Sequence, residues 1–376
     1  MPLKKKQTVL EKGSMQVTLE HEAPRELIEH MEQTWLGTPG GVQYHHTSGV
    51  EKIRNLADAH FLFLRRAGRM LGSIGYLERV TRNGDRSYKT WLLRYFSIKA
   101  PMRSKKGRVK KQRPAAERSF SLIKGITHPF HENPQRLVDV ETTDVPPSII
   151  FAIVEKKNQR SQNFAEISKY EAFGEMDSII FSRISPRKGI PAERLAPDEY
   201  PAMKEKLREF YASHAFYMED NLFYRENYYV LREEGEIVAG LQANEEFWEI
   251  HTVGSAFLDR VVGWLTRIPW VKRRFSFEAM HFLGIEGVYF KNGYESAFYR
   301  LLEGVLAAKG HYLAMFMLDT RCPVYQALME RKKLGPVHRF LGSFRADLFG
   351  RFIRIPEKEK ESLTTRPCYI SVYDNT

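Results

Sequence analysis

Cysteine is almost absent from this chain, and long apolar runs are absent altogether. Cys322 and Cys368 are the only cysteines, which excludes a disulfide-built scaffold and a cysteine-rich zinc site. No apolar run approaches the roughly 20 residues of a membrane-spanning helix, and Met1–Gln7 does not have the pattern of a secretory signal. These absences indicate a reducing, cytoplasmic compartment. The histidines are scattered except for His45 and His46, so we expect no metal site.

Positive charge, in contrast, is in excess. Lysine and arginine together number 58 against 46 for aspartate and glutamate, a net charge of +12 over 376 residues. We therefore expect an anionic partner, namely a phosphorylated cofactor, a nucleic acid or an acidic membrane surface. Hydrophobic residues make up 43% of the chain, which is enough to form a core and excludes a wholly disordered protein. The length predicts two domains of about 100–200 residues each.

The positive charge is concentrated between Lys99 and Lys124. This segment contains ten basic residues, and only Glu117 opposes them, so repulsion between like charges predicts an exposed loop. Aromatic residues are nearly absent from it, which argues against a platform for stacking bases. Contact with nucleic acid phosphates through Lys99–Lys124 stays open as an alternative that we do not favour.

The order of predicted elements repeats on either side of Ile184–Pro191, whose prolines and glycine indicate a linker. We place an N-terminal domain at 1–187 and a C-terminal domain at 188–376. Each half has a hairpin, a strand, a loop, a buried strand, a helix and a strand, which predicts a duplicated α/β unit. In the first half these are a hairpin at 61–77, strands at 90–98 and 148–154, a helix at 163–173 and a strand at 178–181. In the second half they are helices at 197–213, 295–309 and 323–331, a hairpin at 228–243, and strands at 282–289, 312–318, 337–344 and 368–373.

The segment 287–297 predicts a strand that runs through an Asn-Gly turn directly into a helix. Free N–H groups at the start of a helix favour a phosphate, Gly293 allows a close approach of the backbone, and Lys291 adds positive charge. An ordinary strand-to-helix turn also uses Asn-Gly, so a purely structural role stays open. The candidate cofactor-binding residues are Val288, Tyr289, Phe290, Lys291, Asn292, Gly293, Tyr294 and Glu295.

This order of elements resembles the GNAT superfamily of acyl-CoA-dependent N-acyltransferases, here as a tandem pair covering roughly 61–184 and 197–376. In that family the fourth strand leads into a pyrophosphate-binding loop of the pattern Gln/Arg-x-x-Gly-x-Gly/Ala. Gly293 matches the first glycine, whereas Phe290 and Glu295 depart from the pattern.

The two halves match different family features. The family helix after the fifth strand often ends in Tyr-Glu-x-x-Gly, and the first half matches it at Asn163–Gly174, while 319–328 is a looser match. The first half has no comparable loop at 100–107. The better loop implies that the C-terminal half binds acyl-CoA and that the N-terminal half is structural or shapes the acceptor pocket.

The resemblance implies an α/β (α+β) fold of two GNAT-like mixed sheets flanked by helices. It also implies acetyl-CoA or another acyl-CoA as co-substrate and direct transfer of the acyl group to an unidentified amine. Glu286 is the candidate base that keeps the amine neutral, and Tyr325 is the candidate acid for the leaving thiolate. Tyr170 takes that role if the first half is active, and His281 is a second candidate base. Structural roles stay open for all four.

The stretch Trp248–Phe277 combines apolar residues with five basic ones and lies where the family has a short connection. It is consistent with a basic amphipathic helix at a membrane surface, with a lid over an acyl chain or apolar acceptor, or with an inserted helix packed on the core.

Two functions of other classes also stay open. One is a FemABX-like aminoacyl transferase that uses charged tRNA, and the other is a non-catalytic module that binds CoA or an anionic surface. The sequence leaves monomer and homodimer open.

Overall fold

A computed structural model describes residues 6–47, 49–98, 115–276 and 278–375. Residues 99–114 of the predicted basic loop at 99–124 lie outside the described residues. From Ala115 onward the backbone is part of a helix, Ala115–Glu132, so the loop prediction is wrong for 115–124. Ala115 and Ala116 are strong helix formers and begin the helix.

The described residues form fourteen strands and twelve α-helices. The strands are β1 (Lys6–Lys12), β2 (Met15–Glu20), β3 (Gln43–His46), β4 (Ala59–Arg66), β5 (Arg69–Asn83), β6 (Arg86–Ile98), β7 (Ser148–Glu155), β8 (Glu171–Ser182), β9 (Glu193–Arg194), β10 (Tyr228–Glu233), β11 (Glu236–Thr252), β12 (Met280–Phe290), β13 (Leu313–Asp319) and β14 (Phe344–Ile353). The helices are α1 (Arg25–Glu32), α2 (Gly49–Arg54), α3 (Ala115–Glu132), α4 (Gln159–Ile167), α5 (Tyr200–Phe210), α6 (Ala256–Leu265), α7 (Pro269–Arg274), α8 (Glu295–Lys309), α9 (Pro323–Glu330), α10 (Pro336–Leu341), α11 (Glu357–Thr365) and α12 (Val372–Asn375).

All of the described strands join one sheet. Its order is β1-β2-β4-β5-β6-β7-β14-β8-β13-β12-β11-β10-β9, and β3 pairs with the far end of β11. The pairs β6–β7 and β12–β13 are parallel. Each parallel pair belongs to one half of the chain and is followed by a helix, α4 or α9. The α/β fold with a repeated plan, predicted from the sequence, is confirmed, and the two predicted sheets are joined into one.

The last strand of each half pairs with the other half. β8, which ends the first half, pairs over its last seven residues, Met176–Ser182, with β13 of the second half. β14, the last strand of the chain, pairs with β7 of the first half. β8 and β14 also pair with each other at the centre of the sheet. The predicted boundary at 187/188 falls in the connection between β8 and β9, and the division into two domains stays a prediction because the sheet is continuous.

The two halves also share a core on one face of the sheet. The largest buried cluster contains side chains from both halves. In it the ring of Phe216 lies 5.3 Å from the rings of both Phe151 and Phe173. Aromatic contacts of this kind bury a large apolar area, so separating the halves would expose the core as well as break the sheet.

Three predicted elements differ from the structure. The helix predicted at 163–173 ends at Ile167, because Lys169 has a positive φ of 61° and the chain then enters β8. Gly174 therefore lies within a strand and does not cap a helix. Of the strand predicted at 337–344, residues 337–341 belong to helix α10 and only Phe344 lies in a strand, as the first residue of β14. The strand predicted at 368–373 is also wrong, because this segment leads into helix α12.

The pairing of β14 with β8 leaves no room for a side chain at Gly350. A Cβ added there would lie 2.8 Å from Cε1 of Phe173, so the ring would have to move within a close-packed core. We expect Gly350→Ala to lower the free energy of unfolding by about 1–3 kcal/mol, measured by thermal and urea denaturation.

Gly125→Ala in α3 is the matched control for this substitution. A Cβ added at Gly125 meets no atom within 4 Å, and alanine favours a helix over glycine. This variant is expected to be at least as stable as the wild type. An unchanged midpoint for Gly350→Ala would contradict the close packing of the exchanged strands.

Candidate functional site

Each half contains two parallel strands that are hydrogen-bonded to each other over a few residues and then diverge. β6 and β7 pair only where Lys89–Leu92 faces Ser148–Phe151, and β12 and β13 pair only where Leu283–Ile285 faces Ala314–Phe316. All four strands continue past these pairs. The gap beyond Leu92 and Phe151 is called the first wedge, and the gap beyond Ile285 and Phe316 the second wedge. Strand edges without a neighbour present N–H and C=O groups to whatever lies between them.

A bulge accompanies each wedge. In the first half, β6 has one extra residue relative to β5 between Arg94 and Ser97. In the second half, β12 has one extra residue relative to β11 between Glu286 and Tyr289. Tyr95 and Gly287, which follow Arg94 and Glu286, have positive φ values of 52° and 58°. Because a bulge bends its strand and increases the local twist, it directs β6 and β12 away from their parallel neighbours. Arg94 and Glu286 thus occupy equivalent positions in the two halves.

The second wedge is filled by residues of the protein itself. The hydroxyl of Tyr211 donates to the carbonyl oxygen of Val288 at 2.8 Å. The C-terminal segment crosses from one strand to the other, because the N–H of Cys368 donates to Oδ2 of Asp319 in β13 at 3.0 Å. Ser371 then donates its hydroxyl to Glu286 in β12 at 2.9 Å. These bonds use polar groups on both sides of the wedge.

The first wedge, in contrast, encloses a cavity of about 180 Å³. It is bounded by the separating parts of β6 and β7 and by α4. Tyr170, one of the residues predicted from the sequence, lies in its wall, as does Ser161 in the first turn of α4. The two halves therefore share a backbone plan but differ in what lies between the strands.

A second, larger cavity of about 610 Å³ lies at the junction of the two halves. The central strands β7, β8, β13 and β14 contribute to its wall, together with β3, β11 and the start of α6. Much of the wall is apolar, including Tyr44, Met176, Trp248, Leu258, Met315 and Met317. Arg94 and Ile153 line both this central cavity and the first wedge, so the two cavities meet at these side chains.

Arg94 has unused hydrogen-bonding capacity at this meeting point. Its Nη1 is buried and has no hydrogen-bond partner among the described residues. Its guanidinium carbon lies 5.2 Å from the centre of the Tyr95 ring, which fixes one face of the group by a cation–π contact. An unpaired buried donor carries a desolvation cost, and an anionic oxygen at the junction would remove that cost.

Glu155 supplies a carboxylate to the central cavity. No basic side chain of the described residues lies within ion-pair distance of it. Burial raises the pKa of nearby Tyr44 to about 12, and the charge of Arg94 lowers this pKa while that of Glu155 raises it. Both charges thus act on the Tyr44 hydroxyl, which indicates that Arg94 and Glu155 face the same region of the cavity.

Glu286, predicted as a base, is buried beside the C-terminal segment. Its Oε1 accepts a hydrogen bond from Nε2 of Gln242 at 2.9 Å, and its Oε2 accepts the bond from Ser371. Burial, with the charge of Asp374 as a smaller contribution, raises the pKa of Glu286 to about 7. Glu286 is not among the residues that line the first wedge or the central cavity.

The two predicted tyrosines lie in other hydrogen-bond clusters. The hydroxyl of Tyr325 donates to Oδ2 of Asp177 at 3.3 Å, and burial and the charge of Asp177 raise its pKa. The hydroxyl of Tyr170 lies 3.3 Å from Nε2 of His131, and burial raises the pKa of Tyr170 far above its usual value. The structure therefore does not bring Glu286, Tyr325 and Tyr170 together in one site.

The predicted phosphate loop lies at the surface of the second half. Helix α8 begins at Glu295 as predicted, and Gly293 has a positive φ of 82°. The positive charge of Lys291 is paired with Glu236 at 2.7 Å. The ring of Phe210 lies 5.0 Å from that of Phe290, so aromatic packing adjoins the loop on its inner side. Of the other residues predicted for this loop, Val288 is buried, Tyr289 and Tyr294 are half-buried, and Asn292 is exposed.

Sequence reasoning missed Arg94 and Glu155. Arg94 is the only charged residue between Thr90 and Ile98, a single charge among large apolar and aromatic side chains, and that pattern was a usable signal. Glu155 ends the apolar run of β7, where a charged residue is ordinary, so its position gave no signal. Within the described ranges, no group of three or more His, Cys, Asp or Glu side chains is arranged to hold a metal ion.

The raised pKa of Glu286 predicts a pH-dependent cost of folding. The Glu286 carboxyl has a pKa of about 7 in the folded protein and a pKa near 4.5 in the unfolded chain. Its contribution to the free energy of unfolding is fully present below pH ~4.5, where both states are protonated, and is lost as the pH rises through ~7, where the buried carboxyl must ionise. We expect Glu286→Gln to melt higher than the wild type at pH ~8 and to lose most of this advantage at pH ~5, a change of at most about 3 kcal/mol.

Glu11→Gln, at an exposed site in β1, serves as the control for Glu286→Gln. Its melting temperature should differ from that of the wild type by the same small amount at both pH values. If Glu286→Gln is less stable than the wild type at pH ~8, the buried carboxyl is not the costly group described above.

Comparisons with known proteins show that this chain is similar to solved structures in its fold. No protein-family model matches the sequence, and no curated protein matches it. The structure is similar to that of Saccharomyces cerevisiae N-myristoyltransferase with bound myristoyl-CoA, with a TM-score of 0.54 and 9% identity over 92% of this chain and 84% of that chain. A second structure of the yeast enzyme with myristoyl-CoA gives a TM-score of 0.52 and 8% identity over 91% of this chain and 80% of that chain.

A GCN5-related N-acetyltransferase from Anabaena variabilis aligns less closely. Its TM-score is 0.48, with 9% identity over 89% of this chain and 72% of that chain. At such low identity, the similarity to the yeast enzyme establishes the fold and leaves the chemistry to the site. The chain has the duplicated GNAT fold of N-myristoyltransferase, as its order of elements predicted.

Proposed function

We propose that this protein is an acyl-CoA-dependent N-acyltransferase that binds acyl-CoA in the first wedge and transfers the acyl group in the central cavity. The observation that carries the proposal is the meeting of the two cavities at Arg94, whereas the C-terminal segment crosses the second wedge and bonds to Asp319 and Glu286. This reverses the assignment favoured by the loop at 288–295.

The first wedge offers groups that suit coenzyme A. The facing edges of β6 and β7 beyond their paired residues can bond the amides of an extended ligand as a neighbouring strand would. The sequence contains eight basic and no acidic residues between Ile98 and Ala115, the segment that connects β6 to α3. Basic side chains form charge-assisted hydrogen bonds with phosphates. Myristoyl-CoA is bound to the yeast enzyme of similar fold.

The proposed reaction is a direct attack of the amine on the thioester. The amine nitrogen bonds to the carbonyl carbon, the carbon–sulfur bond breaks, and coenzyme A leaves as a thiolate. Negative charge on the carbonyl oxygen in the transition state would be stabilised by the unpaired Nη1 of Arg94. Glu155 would accept the proton that the amine loses. Tyr170, which burial keeps protonated, would donate a hydrogen bond to the departing thiolate, and the thiolate would take its proton from solvent.

The second half remains the alternative location. There Glu286 would be the base, Tyr325 the acid and 288–295 the pyrophosphate loop. A pKa of about 7 for Glu286 suits a base at neutral pH and favours this alternative. It requires Cys368–Tyr373 to leave the second wedge, at the loss of the hydrogen bonds to Asp319 and Glu286.

Matched tryptophan substitutions distinguish the two locations. Ser161→Trp fills the first wedge, whereas Gly293→Trp blocks the loop of the second half. In titration calorimetry with CoA, acetyl-CoA and a long-chain acyl-CoA, we expect Ser161→Trp to weaken binding at least about tenfold, or 1.4 kcal/mol, and Gly293→Trp to leave it unchanged. The opposite pattern would assign the site to the second half, and no binding by the wild type would contradict both locations.

Arg94 is tested by its effect on turnover. We expect Arg94→Met to lower the rate of CoA release in the presence of primary amines by about 10²–10³-fold, with CoA binding retained. Arg94→Lys should recover part of the rate, since it keeps the charge but loses the fork of donors. Arg69→Met, at an exposed position of β5, is the control. A full rate for Arg94→Met would exclude a role in catalysis.

A further inference from the structure

Helix α6 presents large aromatic side chains to solvent. Phe257 is 68% exposed and Trp264 is 61% exposed, the two highest values among the large hydrophobic side chains of the described residues. Arg260 and Arg267 are also exposed. The spacing of these four positions, 257, 260, 264 and 267, puts them on one face of the helix and its continuation. We call this set of four residues the α6 face.

The other side of α6 covers the central cavity. Leu258 lines that cavity, as do Val253 and Ser255 just before the helix. Ser255 caps the helix by accepting a hydrogen bond from the N–H of Leu258. The helix therefore has apolar residues on two sides, and only one of them is used by the fold. The aromatic residues of the α6 face are not needed to bury the cavity.

The charge around the α6 face is positive and largely unneutralised. Within the part of the chain that the structure describes, Arg260, Arg267 and Arg273 have no carboxylate at ion-pair distance. Lys272 in α7 pairs with Glu278 at 3.4 Å. A protein partner with an apolar surface would match Phe257 and Trp264 but not these cations. A surface that combines acyl chains with negative headgroups matches both.

We propose that the α6 face binds the surface of a membrane that contains anionic lipids. Trp264 and Phe257 enter the boundary between headgroups and acyl chains, the position that tryptophan favours. Arg260 and Arg267, on the same face of the helix and its continuation, contact lipid phosphates. No helix in the described ranges is long and apolar enough to cross a membrane. The proposal does not depend on acyl transfer.

Vesicle sedimentation tests the α6 face directly. The full-length protein is mixed with phosphatidylcholine vesicles with and without about 30% phosphatidylglycerol. We expect binding to the anionic vesicles, weakening as salt is raised. Phe257→Ser with Trp264→Ser should reduce that binding at least about tenfold, and Arg260→Gln with Arg267→Gln should remove the preference for anionic lipid.

The matched control changes exposed apolar residues elsewhere. Leu10 and Val80 are 50% and 54% exposed, and the double substitution Leu10→Ser with Val80→Ser should bind vesicles as the wild type does. Thermal melts establish that every variant is folded. Equal binding by the wild type and the α6-face variants would overturn the proposal, as would a failure of the wild type to bind anionic vesicles.

Fluorescence gives a second readout that does not rely on loss of binding. The emission of exposed Trp264 should shift to the blue on addition of anionic vesicles, and Trp264→Phe should remove most of the shift while retaining binding. The competing explanation is that the α6 face binds a second copy of the chain, and light scattering tests it. If the wild type is a dimer and the double variant Phe257→Ser with Trp264→Ser is a monomer, the α6 face is a contact between copies and the membrane proposal is contradicted.

Discussion

The exchange of final strands between the two halves is the constraint on which the rest of the structure depends. β8 leaves the first half to pair with β13, and β14 returns to pair with β7. Each half therefore lacks one strand of its own sheet and obtains it from the other. Because the strands that bound the wedges are β7 and β13, the exchange also fixes the inner wall of each wedge. The central cavity lies at the crossing point, with walls from both halves.

The same backbone arrangement occurs in both halves with different side chains around it. Both halves have a parallel pair, a one-residue bulge and a positive φ immediately after Arg94 or Glu286. In the first half this leaves a cavity and an arginine with an unpaired donor. In the second half the equivalent position is a carboxylate that accepts hydrogen bonds from the protein itself. The backbone provides the opening, and the side chains decide whether it is available to a ligand.

The C-terminal segment explains why the second wedge is filled. Arg79 in the first half makes two hydrogen bonds to the carboxylate of Asp374, at 2.9 and 2.8 Å, and both side chains are buried. Bidentate geometry of this kind offsets much of the cost of burying the two charges. With Asp374 held in this way, Ser371 lies against Glu286 and Cys368 against Asp319. One ion pair between the halves thus holds the segment that crosses the second wedge.

The sequence by itself determined the repeated α/β plan and the strand–turn–helix of β12 and α8, because apolar periodicity and turn residues are local signals. The resemblance to the GNAT superfamily rested on this order of elements together with the family's loop and helix motifs. The sequence also named Tyr170 as a candidate acid, a role that stays a prediction, and the structure places its side chain in the wall of the first wedge. It could not reveal that β8 and β14 change places, since pairing between strands far apart in sequence leaves no local pattern. The burial of Glu286 beside Ser371 and the meeting of two cavities at Arg94 likewise depend on contacts between residues far apart in the sequence. Only the tertiary structure decided which of the two similar wedges encloses a cavity, because the contacts that fill or leave that space come from residues far apart in the sequence.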